Sequence, residues 1–257
     1  MSAEIGHVLA ELPAWAFGFV LILCRTGAAL MLAPGFGEAE IPTMVRAGLA
    51  MIIAGLLVPA LAARMPAPDI GIPALLTAIF AELATGFALG WLARLPASAL
   101  PLAGQTAAQM AGFSNVIAPG PDAGQSALSR LFGLAVPVIV FGSGMHGLIL
   151  TALSGSYDLI PVGHFLPVAD TAEAVLGAVT DAFLLGLRLA APFIVAGLVW
   201  QIGLGLLARL VPQVQVYFLA MPGQVLGGLL MLALLGAAMA QNWQEAMLLA
   251  LSSLPGH

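Results

Sequence analysis

Residues 70–95, IGIPALLTAIFAELATGFALGWLARL, carry Glu82 and Arg94 as their only ionisable side chains. A helix needs about 20 mostly apolar residues to cross the hydrocarbon of a bilayer, and this stretch exceeds that length with a carboxylate near its centre. Its apolar residues do not alternate with polar ones, so it does not read as a strand of an outer-membrane barrel. The reading is a membrane helix whose acidic side chain must face protein or water.

The same pattern recurs on either side. Ala14–Ala33 and Val45–Ala63 precede it, the second bounded by Pro42 before and by Arg64 and Pro66 after. Ser98–Ala118 follows as a weaker stretch, interrupted by Gln105, Gln109, Ser114 and Asn115. Ser126–Leu153 is stronger and includes Arg130 and His146. Thr171–Leu210 is too long for a simple crossing and holds Pro192, and Val225–Leu254 closes the chain. Pro and Gly clusters at Ala33–Gly37, Met65–Pro73, Pro119–Gly124, Asp158–Pro167 and Val211–Pro222 punctuate these runs. The expected fold is all-α, a polytopic membrane protein of long kinked helices and helical hairpins. Residues 1–257 contain no fixed-period repeat and no polar stretch long enough for a separate soluble domain, so a single membrane-embedded domain is expected.

Composition agrees with the helical reading. Of the 257 residues, 61% are hydrophobic and 7% charged, with a mean hydropathy of +1.07, whereas soluble domains carry about 25% charged residues. The chain has no lysine, its basic side chains are seven arginines, and its net charge of -5 argues against a nucleic-acid partner. Arg46, Arg64, Arg94 and Arg209 sit near expected helix ends without settling on one side of the membrane. Cys24 is the single cysteine and offers neither a disulfide framework nor a zinc site. The N-terminal residues carry Glu4 and Glu11 and no early positive cluster, so the first apolar stretch is expected to persist rather than be cleaved as a signal peptide.

Arg25, Glu82, Asp181 and Arg188 are the clearest ionisable residues inside apolar runs. Asp181 and Arg188 fall on one helical face two turns apart, too far to pair directly but suited to partners on neighbouring helices. Such residues can line a pore or relay charge, and they can also form interhelical ion pairs that fix packing; the second reading asks less of the sequence. Gly86 with Gly90, and Gly223 with Gly227, have the spacing that lets helix backbones approach closely. Glu4, His7 and Glu11 share a face but lack the convergence of a metal site, and no metal is expected. There is no His-Glu-x-x-His motif, and Gly142-Ser143-Gly144-Met145-His146 lacks the flanked nucleophile of a serine hydrolase. Tyr157-Asp158 has the form of one half of an intramembrane aspartyl pair, but Gly203-Leu204-Gly205 is followed by Leu206 where the other half needs an aspartate. Neither an enzyme nor a cofactor is expected. The segment Ala103–Asp122, AGQTAAQMAGFSNVIAPGPD, has too many amides and glycines to face lipid. Irregular backbone at membrane depth is tolerated only against protein or water, so this segment is either a loop that enters a conduit or a connection outside the membrane.

Several blocks occur in order along the chain. Arg25 precedes Ala33-Pro34-Gly35-Phe36-Gly37, then Ile41-Pro42 and Val45-Arg46-Ala47-Gly48-Leu49-Ala50. Glu82 is followed at four-residue steps by Gly86 and Gly90. Ala103-Gly104-Gln105 and Gln109-Met110-Ala111-Gly112-Phe113-Ser114 come next. After His146 come Leu150-Thr151-Ala152-Leu153, Ser156-Tyr157 and Pro161-Val162-Gly163. The last and most specific block is Gly203-Leu204 through Arg209-Leu210-Val211-Pro212-Gln213-Val214-Gln215-Val216-Tyr217, with Met221-Pro222 behind it. From about residue 25 to 235 this order resembles the FliR family of flagellar biosynthetic proteins and its injectisome counterparts (FliR/SctT), subunits of the type III secretion export gate.

The resemblance implies a structural and channel role, without catalysis, in the bacterial inner membrane at the flagellar basal body. It implies assembly with FliP and FliQ, neighbours FlhB and FlhA, contact with membrane lipid, and passage of unfolded export substrates. It further implies a FliP-like part over about 1–170 and a FliQ-like hairpin over 171–257, with helices that are not simple crossings. The family's pore plug maps to about Gln109–Asp122, which makes Gln109, Met110, Gly112, Phe113, Ser114, Asn115, Gly120 and Pro121 the expected plug residues. One departure stands out: the family commonly has Asp-Pro near the end of this segment, whereas here the order is Pro121-Asp122. Arg25, Arg46, Glu82, Gly86, Gly90, Asp181, Arg188, Arg209, Pro212 and Gln213 are the expected assembly and packing residues. Two alternatives accompany this reading: an injectisome export-gate subunit, and a stand-alone secondary transporter with Glu82 and Asp181 as coupling groups. The transporter would carry internal repeat symmetry, which the sequence lacks.

Overall fold

The computed structural model describes residues 2–65, 71–113, 126–210 and 216–256, with side chains from Pro13 onward other than those of Ala63 and Tyr217. Among these residues all the regular secondary structure is helical. Helix α1 is Ser2–Leu32 and α2 is Thr43–Leu61, the latter followed by a 3-10 turn at Ala62–Arg64. Then come α3 (Ile72–Met110), α4 (Ala127–Gly142), α5 (Met145–Leu159), α6 (Val168–Leu210) and α7 (Val216–Ser252). Five of these helices are long and apolar enough to cross a membrane, or six spans if α4 and α5 count together as one. The all-α, polytopic expectation holds.

Helices α3, α6 and α7 run for 39, 43 and 37 residues. At 1.5 Å rise per residue they are roughly 58, 64 and 55 Å long, about twice the ~30 Å hydrocarbon core. None of the three fits a single upright crossing.

Helix α1 begins at Ser2, ahead of the Ala14 of the sequence reading, and three further boundaries differ. Ile70–Leu95 and Ser98–Ala118 read as separate stretches, but their described parts up to Met110 belong to the single helix α3, which runs through Pro96 and Pro101. Two side chains of neighbouring helices donate to backbone carbonyls of this stretch. The Trp243 indole N–H donates to the Pro96 carbonyl at 3.1 Å, and the Ser129 hydroxyl donates to the Pro101 carbonyl at 3.0 Å. Ser126–Leu153, read as one stretch, is instead broken into α4 and α5, which meet at 74°. Gly144 sits at the break with φ +80, a left-handed conformation that glycine adopts without steric cost. Pro222, read as part of a break, lies inside α7.

The described chain forms two compact units, one made of residues 1–94, 140–177 and 250–257, the other of 95–139 and 178–249. In the first, Leu21 and Ile22 of α1, Ala54, Val58 and Leu61 of α2, Ala78 of α3 and Tyr157 of α5 form a buried cluster. In the second, the C-terminal part of α3 is the rod on which α4, α6 and α7 pack. Gly104 faces Phe132 of α4, Gly186 on α6 faces Leu102, and Gly228 on α7 faces Ala111.

Candidate functional site

Two arrangements hold the residues singled out by sequence, one in each unit. In the first unit, Glu82, Gly86 and Gly90 recur at four-residue steps and so share a face of α3, which lies against α1. Arg25 and Glu82 are both fully buried. Their contact is bidentate, with Arg25 Nε donating to Glu82 Oε2 at 2.7 Å and Nη2 donating to Oε1 at 3.0 Å. Arg25 Nη1 donates to the Ser156 hydroxyl at 3.2 Å and to the Ile160 carbonyl at 3.0 Å, and the Gly163 N–H donates to Glu82 Oε1 at 2.7 Å. The guanidinium carbon lies 4.1 Å from the centre of the Tyr157 ring, in reach of a cation–π interaction. One buried ion pair thus ties α1, α3, the end of α5 and the turn leading to α6.

Gly86 and Gly90 make that pair reachable. A Cβ at Gly86 would overlap the Arg25 carbonyl oxygen and lie 2.9 Å from Ala28 Cβ. At Gly90 it would lie 2.5 Å from the Ala29 carbonyl oxygen. Without side chains at these two positions α1 and α3 come close enough for Glu82 to meet Arg25 inside the packed helices.

In the second unit, α3 ends at Met110 and the chain turns at Gly112, whose φ of +76 is left-handed. The Ala111 N–H donates to the Ala107 carbonyl at 2.9 Å, and the Gly112 N–H to the Gln109 carbonyl at 3.3 Å. The last carbonyls of a helix have no partner within the helix; here the Met110 carbonyl accepts the side-chain amide of Gln224 on α7 at 2.9 Å. Beside this contact lies a largely apolar cavity of about 280 Å³, bordered by Met110, Phe193, Trp200, Gln224 and Met231.

Residues 16–250 match the family described as bacterial export proteins, family 1. The chain belongs to that family. It is similar to the flagellar biosynthetic protein FliR of Caulobacter vibrioides, with 30% identity over 227 residues, 88% of this chain and 90% of that protein. It is also similar to FliR of Escherichia coli, at 26% over 217 residues, 83% of this chain and 82% of that one. Yop proteins translocation protein T of Yersinia pestis shares 28% identity over 244 residues, 92% of each chain. The resemblance drawn from the ordered blocks, to flagellar export proteins and their injectisome counterparts, is shown by these matches, and it takes precedence over the stand-alone transporter.

Within this export-family chain the sequence-expected residues fall in three groups. Arg25, Glu82, Gly86 and Gly90 come together as described. Gln109 is exposed, Met110 and Phe113 are half-buried, and Gly112 forms the turn, so these four lie at the end of α3. Ser114, Asn115, Gly120 and Pro121 lie outside the described residues, as do Pro212, Gln213 and the side chains of Glu4, His7 and Glu11. Arg46 is half-buried on α2, and its Nε is buried without a hydrogen-bond partner. Asp181, Arg188 and Arg209 are exposed along α6, and Asp181 and Arg188 make no ion pair among the described residues. Gly227 has no neighbour within 4 Å of a would-be Cβ, so the close approach of α7 is made at Gly228 instead.

Sequence reasoning passed over Glu38, which accepts both Arg94 Nη1 at 2.8 Å and the Gly35 N–H at 3.2 Å. Its place one residue after the Ala33–Gly37 turn was the available signal. It also passed over Gln224, although Gln224 is the one amide side chain between Val216 and Ala240, and a lone amide in an apolar helix needs a partner.

Proposed function

We propose that this chain is a wall-forming subunit of the flagellar type III export gate in the bacterial inner membrane. It assembles with FliP and FliQ, next to FlhA and FlhB, around a channel for unfolded substrates. The match to bacterial export proteins across residues 16–250 carries this reading. The exposed apolar faces support it: Val195, Val199, Ile202 and Leu206 on α6, and Phe218, Leu219, Leu226 and Leu234 on α7, are all more than half exposed in the isolated chain. Such contiguous apolar surface needs lipid or partner helices to cover it. Three helices about twice as long as the hydrocarbon is thick favour a bundle of subunits over separate upright crossings.

The chain acts as scaffold and conduit, and the energy for export comes from its partners. Residues 1–170 correspond to the FliP-like part and 171–257 to the FliQ-like hairpin. The segment Gln109–Asp122, which begins at the α3 terminus, closes the resting channel. Arg46, with its unpartnered Nε, and Arg209, exposed in the last turn of α6, are sites of contact with neighbouring subunits.

The test is co-expression with FliP and FliQ, followed by native mass measurement of detergent-extracted material. A discrete hetero-oligomer of all three is expected; a solitary monomer or homodimer overturns the proposal. Within an assembled gate, shortening residues 114–121 makes the resting channel leak ions, and unchanged conductance removes the plug assignment. The Yersinia relative supports a second reading as an injectisome subunit. Restoring motility to a strain lacking its flagellar counterpart separates the two, because the injectisome reading predicts no swimming.

A further inference from the structure

We propose that the face of α6 turned away from its own unit seats one partner helix, and that Asp181 and Arg188 set the register of that helix. The inference deepens the reading of the chain as one subunit of a helical assembly and rests on it. Within the unit, α6 packs through Ala182, Gly186, Leu189, Phe193 and Gly197, which are buried. Asp181, Leu184, Arg188, Val195, Val199 and Ile202 follow one another at steps of three, four or seven, so at 3.6 residues per turn they share the opposite face. All six are exposed, Val195, Val199 and Ile202 by more than 60%. Spacing that averages about 3.5 residues is the seam into which a second helix fits.

Two observations choose a helix over lipid. Exposed apolar side chains run along α6 from Val168 to Leu210, roughly 64 Å, whereas the hydrocarbon of a bilayer covers about 30 Å. Acyl chains can shield about half of that surface, and the rest needs protein. The seam also carries an acid and a base among its apolar residues, and a charge facing acyl chains is costly. These charges say what the partner carries. Asp181 and Arg188 stand about 10 Å apart along the axis, too far to neutralise each other, and neither makes an ion pair among the described residues. Residues 189–208 hold no ionisable side chain. A fitting helix thus has a basic residue opposite Asp181, an acidic one two turns away opposite Arg188, and an uncharged apolar stretch against residues 195–202. Sliding it two turns toward Val195 would set its base against Arg188. The apolar seam supplies contact area, and the two charges select partner and register.

The test uses the full chain co-expressed with FliP and FliQ, and compares wild type, Asp181→Arg, and the exchange Asp181→Arg with Arg188→Asp. Partner retained on the purified chain is read by native mass, and the melting temperature of the detergent-extracted chain alone is read beside it. Both side chains are exposed, so the chain alone should melt as wild type does. Asp181→Arg should cut the retained partner about tenfold or more. The exchange should not restore it, because the charges then stand in reverse order although the net charge is that of wild type. A photo-crosslinking residue at position 195 or 202 should join a helix of a retained partner, and changing the base of that helix opposite position 181 to an acid should restore retention by Asp181→Arg. Retention unchanged in both variants overturns the seam while the subunit reading stands. Crosslinks to lipid alone, or to a second copy of this chain, also overturn it. If a variant melts lower on its own, the two charges serve the fold of this chain and the inference is overturned. If wild type itself retains neither partner, the subunit reading falls, and this inference falls with it.

Discussion

Each unit is packed internally through close glycine contacts, and the two differ in the polar groups they bury. In the first, charge is brought inside and satisfied: Arg25 and Glu82 are buried as a bidentate pair, Arg94 is bonded to both Glu38 oxygens, and Arg64 pairs with Asp158 at the surface. In the second, α3 meets its neighbours through missing side chains and single donors. Gly104, Gly186, Gly197 and Gly228 each sit where a Cβ would press on an adjacent helix, and Ser129, Gln224 and Trp243 each donate to an α3 carbonyl. Buried charge fixes one geometry steeply, because a misplaced ion is left unpaired in a low-dielectric interior. Glycine packing with neutral hydrogen bonds is shallower, since each contact contributes little by itself and can be exchanged for another.

The sharpest way to break this comparison is Glu82→Ala. It leaves Arg25 buried without its counter-ion and strips the acceptor from the Gly163 N–H. Removing one partner of a buried pair costs about 3–5 kcal/mol, visible as a large drop in melting temperature of the detergent-extracted protein. The double change Arg25→Met with Glu82→Leu should recover most of that loss; if Glu82→Ala alone melts like wild type, the first unit is not held by its charge. A smaller effect is expected from Gly197→Val in the second unit, where the new Cβ lies 2.9 Å from Met110 Cβ and 3.2 Å from its carbonyl oxygen. Overpacking of this kind costs about 1–3 kcal/mol, and a loss larger than that of Glu82→Ala would invert the comparison. Smallest is Arg64→Gln. Its pair with Asp158 is more than half exposed on both sides, and such pairs contribute about 0–1 kcal/mol. A melting shift of at most a few degrees, shrinking further in high salt, sharpens the contrast between surface and buried charge.

Much of the fold could be read from residue order, and the exceptions share a cause. The apolar runs located every long helix, yet α3 reads as two separate stretches in the sequence. The donors that tie this stretch to α4 and α7, Ser129 and Trp243, stand 28 and 147 residues from the carbonyls they reach. Conversely, Ser126–Leu153 read as continuous because its composition is apolar throughout; the 74° bend depends on Gly144 turning left-handed, and a glycine permits that turn without announcing it. At the candidate site, Gln109, Met110, Gly112 and Phe113 were marked by polarity and by the resemblance. Gln224 was not, since nothing in its surroundings on α7 shows that α3 ends opposite it.

By itself, then, the sequence determined that the chain is an all-helical membrane protein and that it belongs with bacterial export proteins. Both follow from properties carried residue by residue: apolar length, scarcity of charge, and the order of short motifs. It also marked Arg25 and Glu82 as ionisable groups in apolar surroundings. Only the tertiary structure decided that these two meet each other, 57 residues apart, while Asp181 and Arg188 stay exposed. It alone placed Gly86 and Gly90 against α1 and joined Gln224 to the end of α3. The reason is geometric: hydropathy acts on each residue where it stands, but a hydrogen bond or a close helix contact needs two distant backbones in register to within a fraction of an ångström.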